Sequence, residues 1–244
     1  MWYPFVKRGD GEVRKTIGII GGMGPMATCD LMKKIIDHTD AACDQEHLRI
    51  CVDSNTNIPD RTAAIIGQGK DPRPEMIKSA VRLQGMGADV LIVSCNTAHY
   101  FLEDVQKCVD IPVLHMPRET AKELRGQGVR TVALLATDGT VRCGLYDQEL
   151  KAHGITCVHP NVGEQQMIMS IIYDYVKAGK PYPHEEKIRA MQDRLAKQGV
   201  ERMILGCTEL PIAFARWDAI IPIIDPTDVL ARSAIRYTGN RLKK

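Results

Sequence analysis

Three stretches of the chain recur in the same order and at nearly constant spacing. TIGIIGGMGP from Thr16 aligns with TVALLATDGT from Thr131, an offset of 115 residues. GADVLIVSCNT from Gly87 aligns with GVERMILGCTE from Gly199, an offset of 112. IPVLHMP from Ile111 aligns with IIPIIDP from Ile220, pairing Pro112 with Pro222, an offset of 110. One such match means little; three in order indicate that a unit of about 110 residues is present twice. A chain so built is constrained to two similar domains that face one another.

Between the recurring stretches, short apolar runs alternate with helical patterns. Strands are expected at TIGIIGG (from Thr16), LRICVDS (from Leu48), ADVLIVSC (from Ala88), IPVLHM (from Ile111), TVALLAT (from Thr131), ITCVHP (from Ile155), ERMILGC (from Glu201) and IIPIID (from Ile220). Helices are expected over Met26–Thr39, Glu75–Met86 and Val141–His153, from Thr97, Arg118, Thr208 and Pro226, and over Glu164–Lys177 and His184–Lys197. A polar, Pro-rich loop, NTNIPDRTAAIIGQGKDPRP, follows the second strand. Apolar strands separated by helices of about 10–15 residues are βα units, which build parallel sheets flanked by helices. The fold class is therefore α/β, with two pseudo-symmetric domains and the functional site in the cleft between them. Residues 16–115 with 226–244 are assigned to the first domain and residues 116–225 to the second, leaving 1–15 as an N-terminal extension.

Parallel α/β sheets bind ligands at the carboxyl ends of their strands, so each domain offers one strand end to a shared cleft. Cys95 closes VLIVS in one copy and Cys207 closes MILG in the other. Each also opens a helix, whose N-terminus favours an anionic thiolate. Small polar residues follow each: Asn96 and Thr97, then Thr208 and Glu209. These can cap the helix or hold a carboxylate. Two thiols on opposite sides of a ligand can remove a proton from one face of a carbon and return one to the other, which inverts it. The alternative for each thiol alone is a buried small hydrophobe at a strand end.

The chain holds eight cysteines. MWYPFVKRGDGEVRK is charged and lacks the apolar core of a signal peptide. Reduced thiols and a cytoplasmic location are the expectation. Cys29, Cys43, Cys51, Cys108, Cys143 and Cys157 show no C-x-x-C or Cys/His zinc spacing and are read as packing or surface thiols, with no metal expected. A net charge of +2 and 5% aromatic residues argue against a nucleic-acid partner. No apolar run reaches the ~18 residues of a membrane span.

GGMGP at Gly21, IPDRT at Ile58, SCNTAH at Ser94 and GCTEL at Gly206 resemble the cofactor-independent aspartate/glutamate racemase superfamily. The likeness runs from about Thr16 to Tyr237. It is nearer to aspartate racemases, because Gly22-Met23 and Glu209 stand where glutamate racemases usually carry Asp-Ser and His. The resemblance implies that Cys95 and Cys207 alternate as base and acid with no pyridoxal phosphate, no metal and no other cofactor. It implies that Arg61 of the IPDR motif binds the distal carboxylate of a dicarboxylic amino acid, helped by Lys177 in YVKAG. Tyr173 occupies the family's tyrosine position. Asn96, Thr97 and Thr208 match positions that hold the α-carboxylate, with Thr137 in the second copy's loop and Met23 in the first. Asp138 departs from the Thr or Ser more usual there. A homodimer is the family's expectation.

Other readings compete. Gly22-x-Gly24-x-x-Ala27 between a strand and a helix satisfies the dinucleotide fingerprint, with Asp53 as the ribose-binding acid. Pro25 counts against it by removing an amide N–H from the would-be phosphate cradle. Decarboxylases with one cysteine, maleate isomerases and hydantoin racemases share the superfamily, and a non-catalytic binding protein could share the cleft. His99 invites a Cys–His pairing with Cys95, and His115 ends a strand facing the same region.

Overall fold

The computed structural model describes residues 15–243. The expected N-terminal extension, apart from Lys15, lies outside the described residues. The first run of elements is β1 (Ile17–Gly21), α1 (Pro25–His38), β2 (Ile50–Ser54), α2 (Arg61–Ile65), α3 (Arg73–Gly85), β3 (Val90–Val93) and α4 (Leu102–Gln106). The second is α5 (Met116–Gly126), β4 (Thr131–Ala136), α6 (Asp138–Arg142), α7 (Leu145–Ala152), β5 (Thr156–Val158), α8 (Val162–Ser170), α9 (Glu185–Lys197), β6 (Arg202–Gly206), α10 (Leu210–Phe214) and β7 (Ile223–Ile224). α11 (Pro226–Tyr237) closes the fold.

Both sheets are parallel and share one strand order. The first reads β2-β1-β3 and the second β5-β4-β6-β7. Helices cover both faces, so strand residues alternate between two apolar layers rather than between core and water. Ile17 and Ile19 join one layer of the first sheet and Ile20 the other. Val132 and Leu134 do the same against Ala133 and Leu135 in the second sheet. α5 and α11 tie the halves together. Met116, Leu230 and Ala234 pack in the first half's core, whereas Leu124 and Val229 pack in the second's.

The expected strand IPVLHM is reduced to a single parallel bridge, Leu91 to Val113. Pro112 has no amide hydrogen to extend the ladder. The far edge is closed instead by the Gln106 side chain, whose Oε1 accepts from Val113 N at 2.8 Å while Nε2 donates to Ile111 O at 3.0 Å. Its counterpart β7 is only slightly longer. Each half ties the backbone before this strand to a glutamine, although from positions one helical turn apart: Gln84 Oε1 accepts from Asp110 N at 2.7 Å, and Gln192 Oε1 accepts from Ile220 N at 2.8 Å.

Three expected helices are divided. The helix from Thr97 begins as a 3-10 segment, Thr97–Phe101, before α4. The helix over Val141–His153 is two short helices separated by Gly144, which adopts φ +63°. The helix over Glu164–Lys177 is α8 followed by a π-helical segment, Ile171–Val176. The Pro-rich loop contains α2, capped by the Asp60 carboxylate, which accepts from Ala63 N at 2.7 Å. Among the described residues, no helix is long and apolar enough to cross a membrane.

Candidate active site

Cys95 follows β3 and Cys207 follows β6, at matching ends of the two sheets. Both are free and buried, 7% and 8% exposed. They line one small, tight cavity. Met23, Arg61, Tyr173 and Lys177 line it as well. So do Asn96, Thr97 and Thr137 and, beside the second thiol, Thr208 and Glu209. The structure thus brings the two cysteines and the residues expected to bind substrate to one place, although they are spread over much of the chain.

Arg61 is the first residue of α2, not a loop residue. One terminal nitrogen donates to Pro59 O at 3.0 Å and to Ile58 O at 3.4 Å; the other donates to Met23 O at 3.0 Å. The glycine loop therefore serves to position this guanidinium. Gly22 makes the loop possible: at φ +88°, a Cβ there would lie 2.4 Å from the Asn55 backbone. Arg61 Nε is buried and has no partner. Burial opposes the guanidinium charge, but the adjacent Cys95, with Asp60 and Tyr173, offsets it and holds Arg61 above its ordinary value.

The second thiol sits beside an anion. Cys207 Sγ donates to Glu209 Oε2 at 2.9 Å, and Thr208 Oγ1 donates to the same oxygen at 2.9 Å. Burial, then the Glu209 charge, push the Cys207 thiol well above its usual range. Lys177 Nζ stands 3.9 Å from Glu209 Oε1 and 4.3 Å from the centre of the Tyr173 ring. Tyr173 belongs to the π-helical segment and Lys177 follows it; Lys177 N bonds to Ile172 O, five residues back. That wider turn alters how the two side chains are presented, and π-turns are frequent at functional sites.

Contacts between the halves complete the site. Thr97 Oγ1 lies 3.2 Å from Thr137 Oγ1 and 2.9 Å from Thr140 Oγ1. These hydroxyls are tied to one another between the halves, and Thr97 and Thr137 also line the cavity. The Tyr146 hydroxyl, fully buried on α7, donates to Asn96 Oδ1. Asn96 Nδ2 is left buried without a partner. α2 approaches α6 so closely that a Cβ on Gly139 would lie 2.9 Å from Thr62 Oγ1 and 3.0 Å from Thr62 Cα.

The histidines have other tasks. His99 Nδ1 lies 2.8 Å from Cys95 O and 3.2 Å from Asn96 O, so it clamps the carbonyls of the thiol loop rather than the thiol itself. Burial and nearby His115 lower His99 to about 3, which keeps it neutral. His115 accepts from Arg118 N at the start of α5 and meets the His99 ring edge-on at 5.3 Å. Asp138 is absent from the cavity lining; its Oδ1 accepts from Gln165 Nε2 at 2.8 Å. Sequence reasoning missed Tyr146, Asp60 and Thr62. Asp60 and Thr62 flank Arg61 within IPDRT, so helix capping was the available signal; Tyr146 offered none.

Residues 20–234 match the family described as Asp/Glu/Hydantoin racemase. The chain is 28% identical over 228 residues to the broad specificity amino-acid racemase RacX of Bacillus subtilis (strain 168), covering 90% of this chain and 96% of that one. It is similar to the aspartate racemase of Picrophilus torridus, with a TM-score of 0.78, 33% identity and coverage of 94% and 96% of the two chains. The glutamate racemase of Francisella tularensis subsp. tularensis SCHU S4, solved with D-glutamate, shares the fold at a TM-score of 0.65 and 17% identity, with coverage of 92% and 81%.

Proposed function

We propose, from the premise that the chain belongs to the Asp/Glu/hydantoin racemase family, that this amino-acid racemase interconverts L- and D-aspartate. One observation carries the choice of a dicarboxylic substrate. Two donors on cavity-lining residues, Arg61 Nε and Asn96 Nδ2, are buried without a partner. A buried donor left unmet costs about 1–3 kcal/mol, and a carboxylate oxygen satisfies each. The tightness of the cavity favours a short side chain.

The cleft's charges set an order for the two thiols. Arg61, a cation, neighbours Cys95, and Glu209, an anion, accepts from Cys207. Cys207, hydrogen-bonded to Glu209 and held protonated, is thus the thiol of the starting pair, and Cys95 is the base. The thiolate takes the Cα proton from one face. The Cys207 thiol gives its proton to the opposite face, so the carbon is inverted and the charges on the sulfurs are exchanged. The reverse reaction runs the same steps backwards. Arg61 holds one carboxylate, and Asn96, Thr97 and Thr208 surround the other. The two thiols must stay reduced, which suits the cytoplasm, and we place the protein there as a homodimer.

Incubation with each L-amino acid in D2O, followed by chiral chromatography and mass spectrometry, tests the reading. Aspartate should be inverted with deuterium at Cα, and Cys95→Ala and Cys207→Ala should each lose about 10²- to 10⁴-fold in rate. Inversion that survives either variant rejects the two-thiol mechanism. RacX, named for broad specificity, motivates a second reading; equal turnover of neutral amino acids would establish it over aspartate selectivity.

A further inference from the structure

Outside the cleft, Asp147, Cys157 and His159 each present a metal-ligating atom within 4.8 Å of the other two. Cys157 lies in β5, the edge strand of the second sheet, and His159 follows its last residue. Residues two apart on a strand point to the same face, so the thiol and imidazole emerge together. Asp147, in the first turn of α7, brings a carboxylate to them. His159 Nε2 lies 2.7 Å from Asp147 Oδ1, while His159 Nδ1 is buried with no partner. Burial and the Asp147 carboxylate push the Cys157 thiol up, a crowding that a cation would relieve.

We propose that Asp147, Cys157 and His159 bind one thiophilic divalent transition-metal ion of the Zn2+ class. The donor set decides the class: thiolate and imidazole suit Zn2+, whereas Mg2+ and Ca2+ take oxygen ligands. Tetrahedral bonds of about 2.0–2.3 Å put the donors roughly 3.3–3.8 Å apart, within side-chain rotation of the observed spread. The His159 and Asp147 side chains are 34% and 39% exposed, which leaves the fourth position open to water. Binding releases the Cys157 proton to solvent as the sulfur–metal bond forms. The ion fastens β5 to α7 beside Tyr146, the residue that holds Asn96 in the cleft.

Co2+ titration of the full chain tests this, read by the thiolate-to-cobalt charge-transfer band and by Zn2+ competition. The cleft thiols are removed by Cys95→Ala and Cys207→Ala together, so that they do not contribute. This parent should bind one equivalent with a thiolate band, and Zn2+ should raise its melting temperature. Adding Cys157→Ser should abolish the band. Adding His159→Ala should weaken binding by more than the roughly 10- to 100-fold that loss of an outer-shell partner costs. Metal-free melting curves verify that each variant is folded, with Asp147→Asn as a further ligand variant. Absence of the band in the parent, or its persistence in Cys157→Ser, overturns the proposal. Neither result bears on racemisation, which is assayed in the wild-type chain.

Discussion

Cys207 Sγ donates a hydrogen bond to Glu209 Oε2 at 2.9 Å, so the second thiol carries its own anion. Burial first and Glu209 second hold that thiol protonated. Glu209→Gln removes the charge and keeps a side chain of similar size. In a Cys95→Ala background, the pH midpoint for alkylation of the Cys207 peptide should fall by about 1–3 units, as expected for loss of a neighbouring like charge. Peptide mapping by mass spectrometry separates this signal from the exposed Cys29, Cys43 and Cys108. An unchanged midpoint would mean that Glu209 does not govern the thiol.

Arg61→Lys keeps a positive charge but loses the planar fork that meets Met23 O and, in the proposed reading, the substrate carboxylate. Hydrogen bonds to charged groups are worth about 1.5–3 kcal/mol, so kcat/KM for aspartate should fall roughly 10- to 100-fold. The loss should fall mainly in KM, and any turnover of neutral amino acids should change less. Steady-state kinetics on aspartate and alanine check this. Equal losses on both substrates would assign Arg61 to the architecture of the cleft alone.

The two thiols were legible because duplication singled them out. Cys95 and Cys207 end equivalent strands, and strand ends in parallel sheets face ligands. Arg61 was legible through its motif, but its helix was not, because a five-residue helix in a Pro-rich segment is too short for periodicity to show. IPVLHM looks like a strand in isolation; its ladder stops after one bridge because Pro112 has no amide hydrogen to continue it, while Gln106 covers the opposite edge. The role of Tyr146 could not be read at all. Its partner Asn96 lies 50 residues away in sequence, and nothing local marks a buried tyrosine hydroxyl as bonded across a cleft.

The buried histidines should make stability depend on pH. The ordinary histidine value is 6.5, whereas folded His99 protonates near 3 and His115 near 4. Below pH 6.5 the unfolded chain takes up protons that the folded chain refuses, so stability falls as pH falls. The slope is about 1.4 kcal/mol per pH unit for each such group once the unfolded form is protonated. Between pH 6 and 5, above the range where most carboxylates titrate, His99→Gln should flatten the curve by about that amount. Denaturant midpoints measured across this window provide the comparison. A variant curve parallel to the wild type would mean that His99 is not the group excluded from protonation.

Gly139→Ala separates the closeness of the two halves from the stability of the fold. Gly139 lies in α6, where alanine is intrinsically favoured over glycine by about 1 kcal/mol. Against this, the new Cβ would meet Thr62 Oγ1 at 2.9 Å, so α2 must shift. Thr62 follows Arg61, and a displacement of about 1 Å at a positioning residue can cost on the order of 10²-fold in rate. The two effects on stability oppose each other, whereas the effect on catalysis has no compensation. Gly139→Ala should therefore change the melting temperature little and reduce kcat/KM by at least about tenfold. Thermal melts and steady-state kinetics on the same preparation decide it. If kcat/KM stays near wild type, the spacing between α2 and α6 does not set the geometry of the cleft.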